Sequence, residues 1–410
     1  MKLVPLLLVH RGFWLLALLL SCRGVLGAAD QAPIDDRLIV DDTKINGQPV
    51  RVAFDTGAEF TVIFRPAAER LGLKVSDPPA GTRAEPGKTL LGSTNPVQLQ
   101  YGTKVVTLPF SVMEVPTGLS WGIDGLFGWD VLPSEYFITF IPGVKLDIAA
   151  TGEVPGPTAA WQQLSLRKNS KVLVLEVPDT NGTSIGVAID TGDSDGVSLS
   201  PAKWRQWRAE HPAAPTTINA YFRPGAGLVV REVSWAKELT LGPLTLTDVA
   251  VQENDIANQA AGANIGATLG LAAIKRQTLL VDGKLGMAYF ARQQFPAQAF
   301  EHNRLGAVFT PSDLQHDPLE AHVVAGSPAE EAGIRNGDVL LKIDALDATK
   351  WRTDPAVMPM GRFWQRPAGT SIVLTTQRGD KVLTVPVTLR DLIGPGVDQT
   401  KVASPSVTKP

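Results

Sequence analysis

The chain has 410 residues, is 44% hydrophobic and 19% charged, and carries 38 Lys and Arg against 41 Asp and Glu, a net charge of −3. Such a composition supports buried cores in two to four domains and excludes a disordered chain, and with no dense basic run beyond the extreme N-terminus it sets nucleic acid aside as a partner. The one cysteine, Cys22, and five histidines scattered at 10, 211, 302, 316 and 322 exclude a thiolate metal cluster, a disulfide framework and Cys/His nucleophilic catalysis.

Residues 1–29 read as an export signal. Lys2 and Arg11 precede "GFWLLALLLSC", an apolar stretch of signal-peptide length and short for a membrane span. Its end has three readings. "LLSC" at 19–22 resembles the lipobox of bacterial lipoproteins, which would attach the chain to a membrane through a lipid on Cys22, although Leu20 and Arg23 fit that pattern poorly. "VLGAAD" at 25–30 offers small residues for ordinary cleavage, and a retained anchor is the third outcome.

Downstream, short Val/Ile/Leu/Thr-rich runs alternate with Gly, Pro, Asn and Asp, which predicts a mainly β protein. Strands are expected at 105–115, 171–177 and 236–253, and short helices at 66–73 and 201–210. Linker-like breaks fall at 151–160 and 292–303. The expected units are a first lobe over 30–152, a second over 160–295, a C-terminal domain over 303–393 and a loose tail over 394–410.

An internal repeat organises the two lobes. "NGQPVRVAFDTG" and "NGTSIGVAIDTG" each open on an Asn-Gly hairpin signal and place Asp eight residues after that glycine, so that Asp55 and Asp190 stand 135 positions apart. "GLFGWDVL" (125–132) then matches "ATLGLAAI" (267–274), and "FIPGVKLDI" (140–148) matches "LLVDGKLGM" (279–287), in the same order. Four features in matching order imply duplicated structure.

An Asp-Thr-Gly turn after an apolar strand can present a carboxylate at the floor of a cleft, with the glycine free to aim its N–H at it. Two such loops across an approximate dyad would share one proton, because like charges so close cannot both ionise. One carboxylate could then act as general base towards water while the other, protonated, polarises a peptide carbonyl, without metal or cofactor.

"AFDTGAEFTVI" followed by "GLFG" resembles a retropepsin-type (clan AA) aspartic peptidase lobe. The resemblance covers about residues 35–292 and is strongest in the first lobe. It implies two pseudo-symmetric β-barrel lobes of the acid protease fold in one chain, with Asp55 and Asp190 catalytic. Thr56 and Thr191 would bond across to the opposite loop, Gly57 and Gly192 would support the carboxylates, and the "GLFG" segment would pack beneath. The second lobe departs from the pattern: Asp193 stands where Ala, Ser or Thr is usual, and Thr268 where an apolar residue is usual. Asp193 is expected to face outward, as turn carboxylates commonly do; inward, it would raise the dyad pKa values. Glu59 reads as a surface carboxylate paired with Arg65. Substrate flaps are expected at 85–94 and 221–230. Phe54, Ile63, Phe127, Ile189 and Leu269 are expected in the core ahead of any pocket.

The C-terminal stretch "VVAGSPAEEAGIRNGDVLLKIDALDA" (323–348), with a closing hairpin at 369–389, resembles a PDZ domain, an α+β fold. The resemblance implies a carboxylate-binding loop at Leu305, Gly306 and Ala307, whose N–H groups would receive the C-terminus of a peptide ligand added as a strand. The groove helix expected within 351–365 is interrupted by prolines. The whole reads as an exported aspartic endopeptidase of a bacterial periplasm or envelope, acting on peptide or protein substrates. The alternative is a non-catalytic scaffold whose PDZ groove is the functional site.

Overall fold

Asn46 and Gly47 take positive φ angles of 48° and 79°, which folds strand Lys44–Ile45 back onto Gln48–Pro49 at the predicted Asn-Gly turn. The computed structural model describes residues 38–397 apart from 41, 79–89, 103, 116–121, 132–135, 141–146, 151–160, 179–181, 224–226, 255–261, 293–300, 313–315, 355, 358, 359 and 396. The signal region with Cys22, the tip of the first expected flap and the end of the tail lie outside them. Among the described residues no helix is long and apolar enough to cross a membrane.

The duplication read in the sequence is a duplication of topology. In the first lobe the sheet order is Ile39–Val40, Val52–Asp55, Gly125–Gly128, Val62–Phe64, Ser111–Met113, Leu90–Thr94 and Val75–Ser76. In the second, the order Val174–Pro178, Ser184–Ile189, Ile265–Leu269, Val197–Leu199, Leu244–Glu253, Gly227–Leu241 and Thr216–Arg223 repeats it strand for strand. Directions repeat as well. The Asp-bearing strand runs parallel to the later glycine strand in both lobes, and the strand after the Asp-Thr-Gly turn lies antiparallel to that glycine strand. The two copies also join: Tyr136–Phe140 from the end of the first pairs antiparallel with Gln277–Asp282 of the second.

After each Asp-Thr-Gly strand pair comes a helix opened by proline, Arg65–Arg70 and Pro201–Glu210, where a missing N–H costs nothing. The first helix is shorter than the 66–73 expected, and the second matches. The run expected at 105–115 divides into Lys104–Leu108 and Ser111–Met113, and 236–253 becomes parts of two long strands turned at Gly242. Phe54, Ile63, Phe127, Ile189 and Leu269 are all essentially inaccessible and belong to one core that spans both lobes. Each such side chain contributes roughly 1.5–3 kcal/mol by leaving water.

The C-terminal region has its own core, built on Phe309, Ile343, Leu374 and Trp364. Its sheet order is Ala307–Thr310, Glu320–Val323, Val339–Ile343, Ser371–Arg378 and Lys381–Thr388. Pro328–Glu331 is capped by Ser327, which accepts from the Glu330 N–H at 3.3 Å. The expected groove helix is a single turn, Gly361–Trp364. Val308 and Val324 pack on Ile218 and Val230 of the second lobe, so the edge strand Ala307–Thr310 faces the hairpin formed by Thr216–Arg223 and Gly227–Leu241.

Candidate active site

The two Asp-Thr-Gly loops meet head to head. The Thr56 N–H donates to Thr191 Oγ1 at 3.0 Å and the Thr191 N–H to Thr56 Oγ1 at 3.1 Å. Each hydroxyl then donates across the interface, Thr56 to the Ile189 carbonyl at 2.6 Å and Thr191 to the Phe54 carbonyl at 2.7 Å. Both threonines are buried, so these four bonds replace water that the groups cannot reach. The loops are thereby locked in one register, and one chain supplies both.

Within each loop the glycine N–H binds its own aspartate, Gly57 to Asp55 Oδ1 and Gly192 to Asp190 Oδ1, both at 2.9 Å. A Cβ on Gly57 would overlap the Asp190 carboxyl, and one on Gly192 would overlap that of Asp55. Glycine is therefore required twice, to let each carboxyl lie against the opposite loop. Asp55 and Asp190 come within hydrogen-bonding reach of one another. Beneath them, Gly125–Gly128 runs beside Val52–Asp55 with Phe127 opposite Phe54, and the Asp190 N–H donates to the Leu269 carbonyl at 2.9 Å.

Asp190 is pushed up to about 8, first by desolvation and then by the Asp55 charge, against the opposing pull of the Gly192 N–H. A carboxyl that stays protonated beside an acidic partner is what a general-acid role needs.

Asp193 corrects the expectation of an outward turn residue. It is half-buried, its Oδ1 accepts the Asp195 N–H at 2.9 Å, and its own N–H donates to Asp190 Oδ1 at 3.2 Å. It is pushed up to about 8, by desolvation first and then by Asp195 and Asp190. Within the loop Asp-Ser-Asp the Asp195 amide recruits the Asp193 carboxyl in an Asx-type turn, and the start of helix Leu271–Ile274 holds the turn in place.

Sequence reasoning missed the groups that make this loop tolerable. Arg231 forms an ion pair with Asp195, with the two side chains only 11% and 20% exposed, and it stacks 3.7 Å over the Tyr221 ring. Gln252 donates to Asp195 Oδ2 and to Ser198 Oγ, each at 3.0 Å. Two acids in one tight loop signal a counterion. Which base supplies it depends on hairpin register, where Arg231 pairs with Asn219. Thr268, at the unusual polar position, is buried and accepts from Asn254 Nδ2 at 3.2 Å.

Residues 42–131 match the family model described as aspartyl protease, and residues 321–354 match the model described as PDZ domain. The chain carries a retropepsin-like aspartyl protease lobe and a C-terminal PDZ domain. Among solved structures, an aspartic proteinase from Irpex lacteus is 10% identical with a TM-score of 0.37, over 62% of this chain and 93% of that one. No curated protein matches the chain.

In the PDZ domain the expected carboxylate-binding loop is occupied from within. Asn303 Oδ1 accepts the N–H groups of Leu305 and Gly306, both at 3.0 Å, and Leu305 and Ala307 are inaccessible. The Asn303 amide in turn donates to the Ile218 carbonyl of the second lobe at 2.8 Å, and Thr217 Oγ1 donates to the Asn303 carbonyl at 2.9 Å. In this arrangement the loop N–H groups serve a contact with the protease region, in place of the incoming C-terminus expected from sequence. Glu59 is a second correction: it pairs with Lys171, while Arg65 pairs with Glu114 at 3.0 Å. The arm Thr216–Arg223 and Gly227–Leu241 forms a hairpin at the second expected flap, with 224–226 outside the described residues.

Proposed function

We propose that the protein is an exported aspartic endopeptidase that hydrolyses peptide bonds with Asp55 and Asp190, its PDZ domain contributing recognition or restraint at the second lobe. The reading rests above all on the reciprocal threonine bonds, which hold two equivalent carboxyls face to face. Asp55, ionised, takes a proton from water as the water oxygen bonds to the carbonyl carbon of the substrate. Asp190 gives its proton to the carbonyl oxygen, producing a gem-diol. Collapse of that intermediate breaks the C–N bond as the nitrogen takes a proton from Asp55, while a diol hydroxyl returns one to Asp190 and becomes part of the new carboxyl group. Export rests on the signal-like N-terminus alone.

The test is cleavage of an unbiased peptide library from acidic to neutral pH by the wild type, Asp55→Asn and Asp190→Asn. Each variant is expected to stay folded and to lose about 10²–10⁴-fold in kcat/KM. Survival of activity in either variant, or an inactive wild type at every pH, would overturn the dyad and leave the scaffold reading.

A further inference from the structure

The second-lobe hairpin is gripped on both faces. Side chains alternate along a strand, so in the pairing of Thr216–Arg223 with Gly227–Leu241 the residues Ile218 and Val230 lie on one face, and Thr217, Arg231 and Val233 on the other. On the first face Val308 and Val324 of the PDZ domain close over Ile218 and Val230. On the second, Ile393, from the segment that leaves the domain, packs with Val233 and Ala250 and is 1% exposed. Arg231 therefore stands between two anchored neighbours, Val230 and Val233, and it pairs with Asp195 in the loop that follows Asp190.

Asn303 closes the grip at the strand edge. The Val324 N–H donates to the Gly306 carbonyl at 2.8 Å, so the ladder with Glu320–Val323 leaves the Ala307 carbonyl pointing outward, where an added strand would pair. Asn303 takes that carbonyl and the loop amides together. Its Oδ1 accepts the Leu305 and Gly306 N–H groups, both at 3.0 Å, and its Nδ2 donates to the Ala307 carbonyl at 2.9 Å and to the Ile218 carbonyl at 2.8 Å. The side-chain amide, 1% exposed, thus uses both donor hydrogens and accepts twice. The entry and exit of the domain are also joined to each other: Arg304 Nε meets Asp391 Oδ1 at 2.5 Å, and the Arg390 N–H donates to the Arg304 carbonyl at 3.3 Å.

We propose that the ligand of the PDZ domain is the second-lobe hairpin of its own chain, and that Asn303 and Val308 are positioning residues that hold Arg231 against the active-site loop. The seat expected for a peptide carboxylate is filled by Asn303, so the domain takes no free C-terminus there. A plug within the same chain loses no translational freedom on binding, whereas a free peptide does and must also break the four bonds of Asn303. The proposal rests on the reading of the PDZ domain as a restraint at the second lobe, and names what is restrained.

The experiment is amide hydrogen exchange of the full chain, read by mass spectrometry over 216–223, 227–235 and the loop 191–196. Val308→Ala trims one face of the grip and leaves the loop amides of the PDZ domain in place; Asn303→Asp keeps their acceptor and removes the donor to Ile218. Each is expected to speed exchange in the hairpin by about tenfold, the loss of one buried contact or hydrogen bond. The loop 191–196 is expected to respond to Val308→Ala in the wild-type background and not in Arg231→Met, because the effect travels through Arg231. Unchanged hairpin exchange in Val308→Ala overturns the proposal whether or not Asn303→Asp folds, and so does a loop response that is the same with and without Arg231. In a second arm, random decapeptides with free C-terminal carboxylates, and the same pool amidated, are passed over the immobilised Asp55→Asn chain. Equal retention is expected; retention that needs the carboxylate makes the loop a peptide receptor and overturns the proposal. Neither arm requires turnover, so a chain that cleaves nothing defeats the peptidase reading while exchange still decides the grip.

Discussion

The first protease loop closes on Ala58, Glu59 and Phe60, the second on Asp193, Ser194 and Asp195. Phe60 is 53% exposed with Lys171 near its ring, and the exposed Lys171 pairs with the half-buried Glu59. Asp195, at the position equivalent to Phe60, is drawn inward by Arg231 and Gln252. Backbone duplication therefore leaves side-chain electrostatics free to diverge, and the divergence falls beside one member of the dyad only. A repeated fold supplies the geometry of a symmetric site, and single substitutions around it give its halves different surroundings.

The two loops differ most in their ion pairs. Arg231→Met strands Asp195 among largely buried groups and is expected to cost about 3 kcal/mol in chemical denaturation. Lys171→Met breaks the pair that Glu59 of the first loop makes with the second lobe, with the lysine 65% exposed, and is expected to cost less than about 1 kcal/mol. Equal losses would mean that the two loops do not differ in the way described.

The threonine bonds probe what the lobes share. Thr56→Val and Thr191→Val each leave a buried N–H and a carbonyl of the opposite loop unpaired, at about 1–3 kcal/mol each. The double variant is expected to lose less than the sum, since each single change already disables half of the same lock. Strict additivity by denaturant unfolding would contradict a reciprocal contact.

The remaining test is the pH dependence of stability, read by its direction. Asp190 and Asp193 bind protons more tightly when folded, at about 8, than at the ordinary carboxylate value of 3.8 that holds for the unfolded chain. Between those values the folded state carries the extra protons, so their contribution to stability is greatest below about pH 4 and is lost as pH rises toward 8. Melting temperature is expected to fall over that interval, with a shallower slope in Asp193→Asn. A slope unchanged by the substitution would place the proton elsewhere.

Much of this was legible because the signals are local and repeated. An apolar strand, Asp-Thr-Gly and a later apolar-Gly pair recur at a fixed offset, and each demands a specific backbone: glycine where a carboxyl crosses over, threonine where a hydroxyl must reach the opposite loop. Gly47 was readable on the same grounds. Asp193 was misread because turn propensity describes a loop in water, whereas this loop is tied to helix Leu271–Ile274, some 80 residues on. Glu59 and Arg65 are close in sequence, yet their partners, Lys171 and Glu114, come from other strands and loops.

By itself, then, the sequence determined the duplicated β scaffold, the dyad candidates and the identity of the C-terminal domain, because periodicity, turn chemistry and Asp-Thr-Gly spacing act within short stretches of backbone. Tertiary structure alone decided the charge environment of Asp190 and the fate of the PDZ loop. Arg231 reaches Asp195, and Asn303 reaches both the Leu305 and Gly306 amides and the Ile218 carbonyl, through contacts between distant segments. Burial and Coulombic interaction depend on what lies across a gap of a few ångströms in space, and that neighbour is set by the packing of hairpin on lobe.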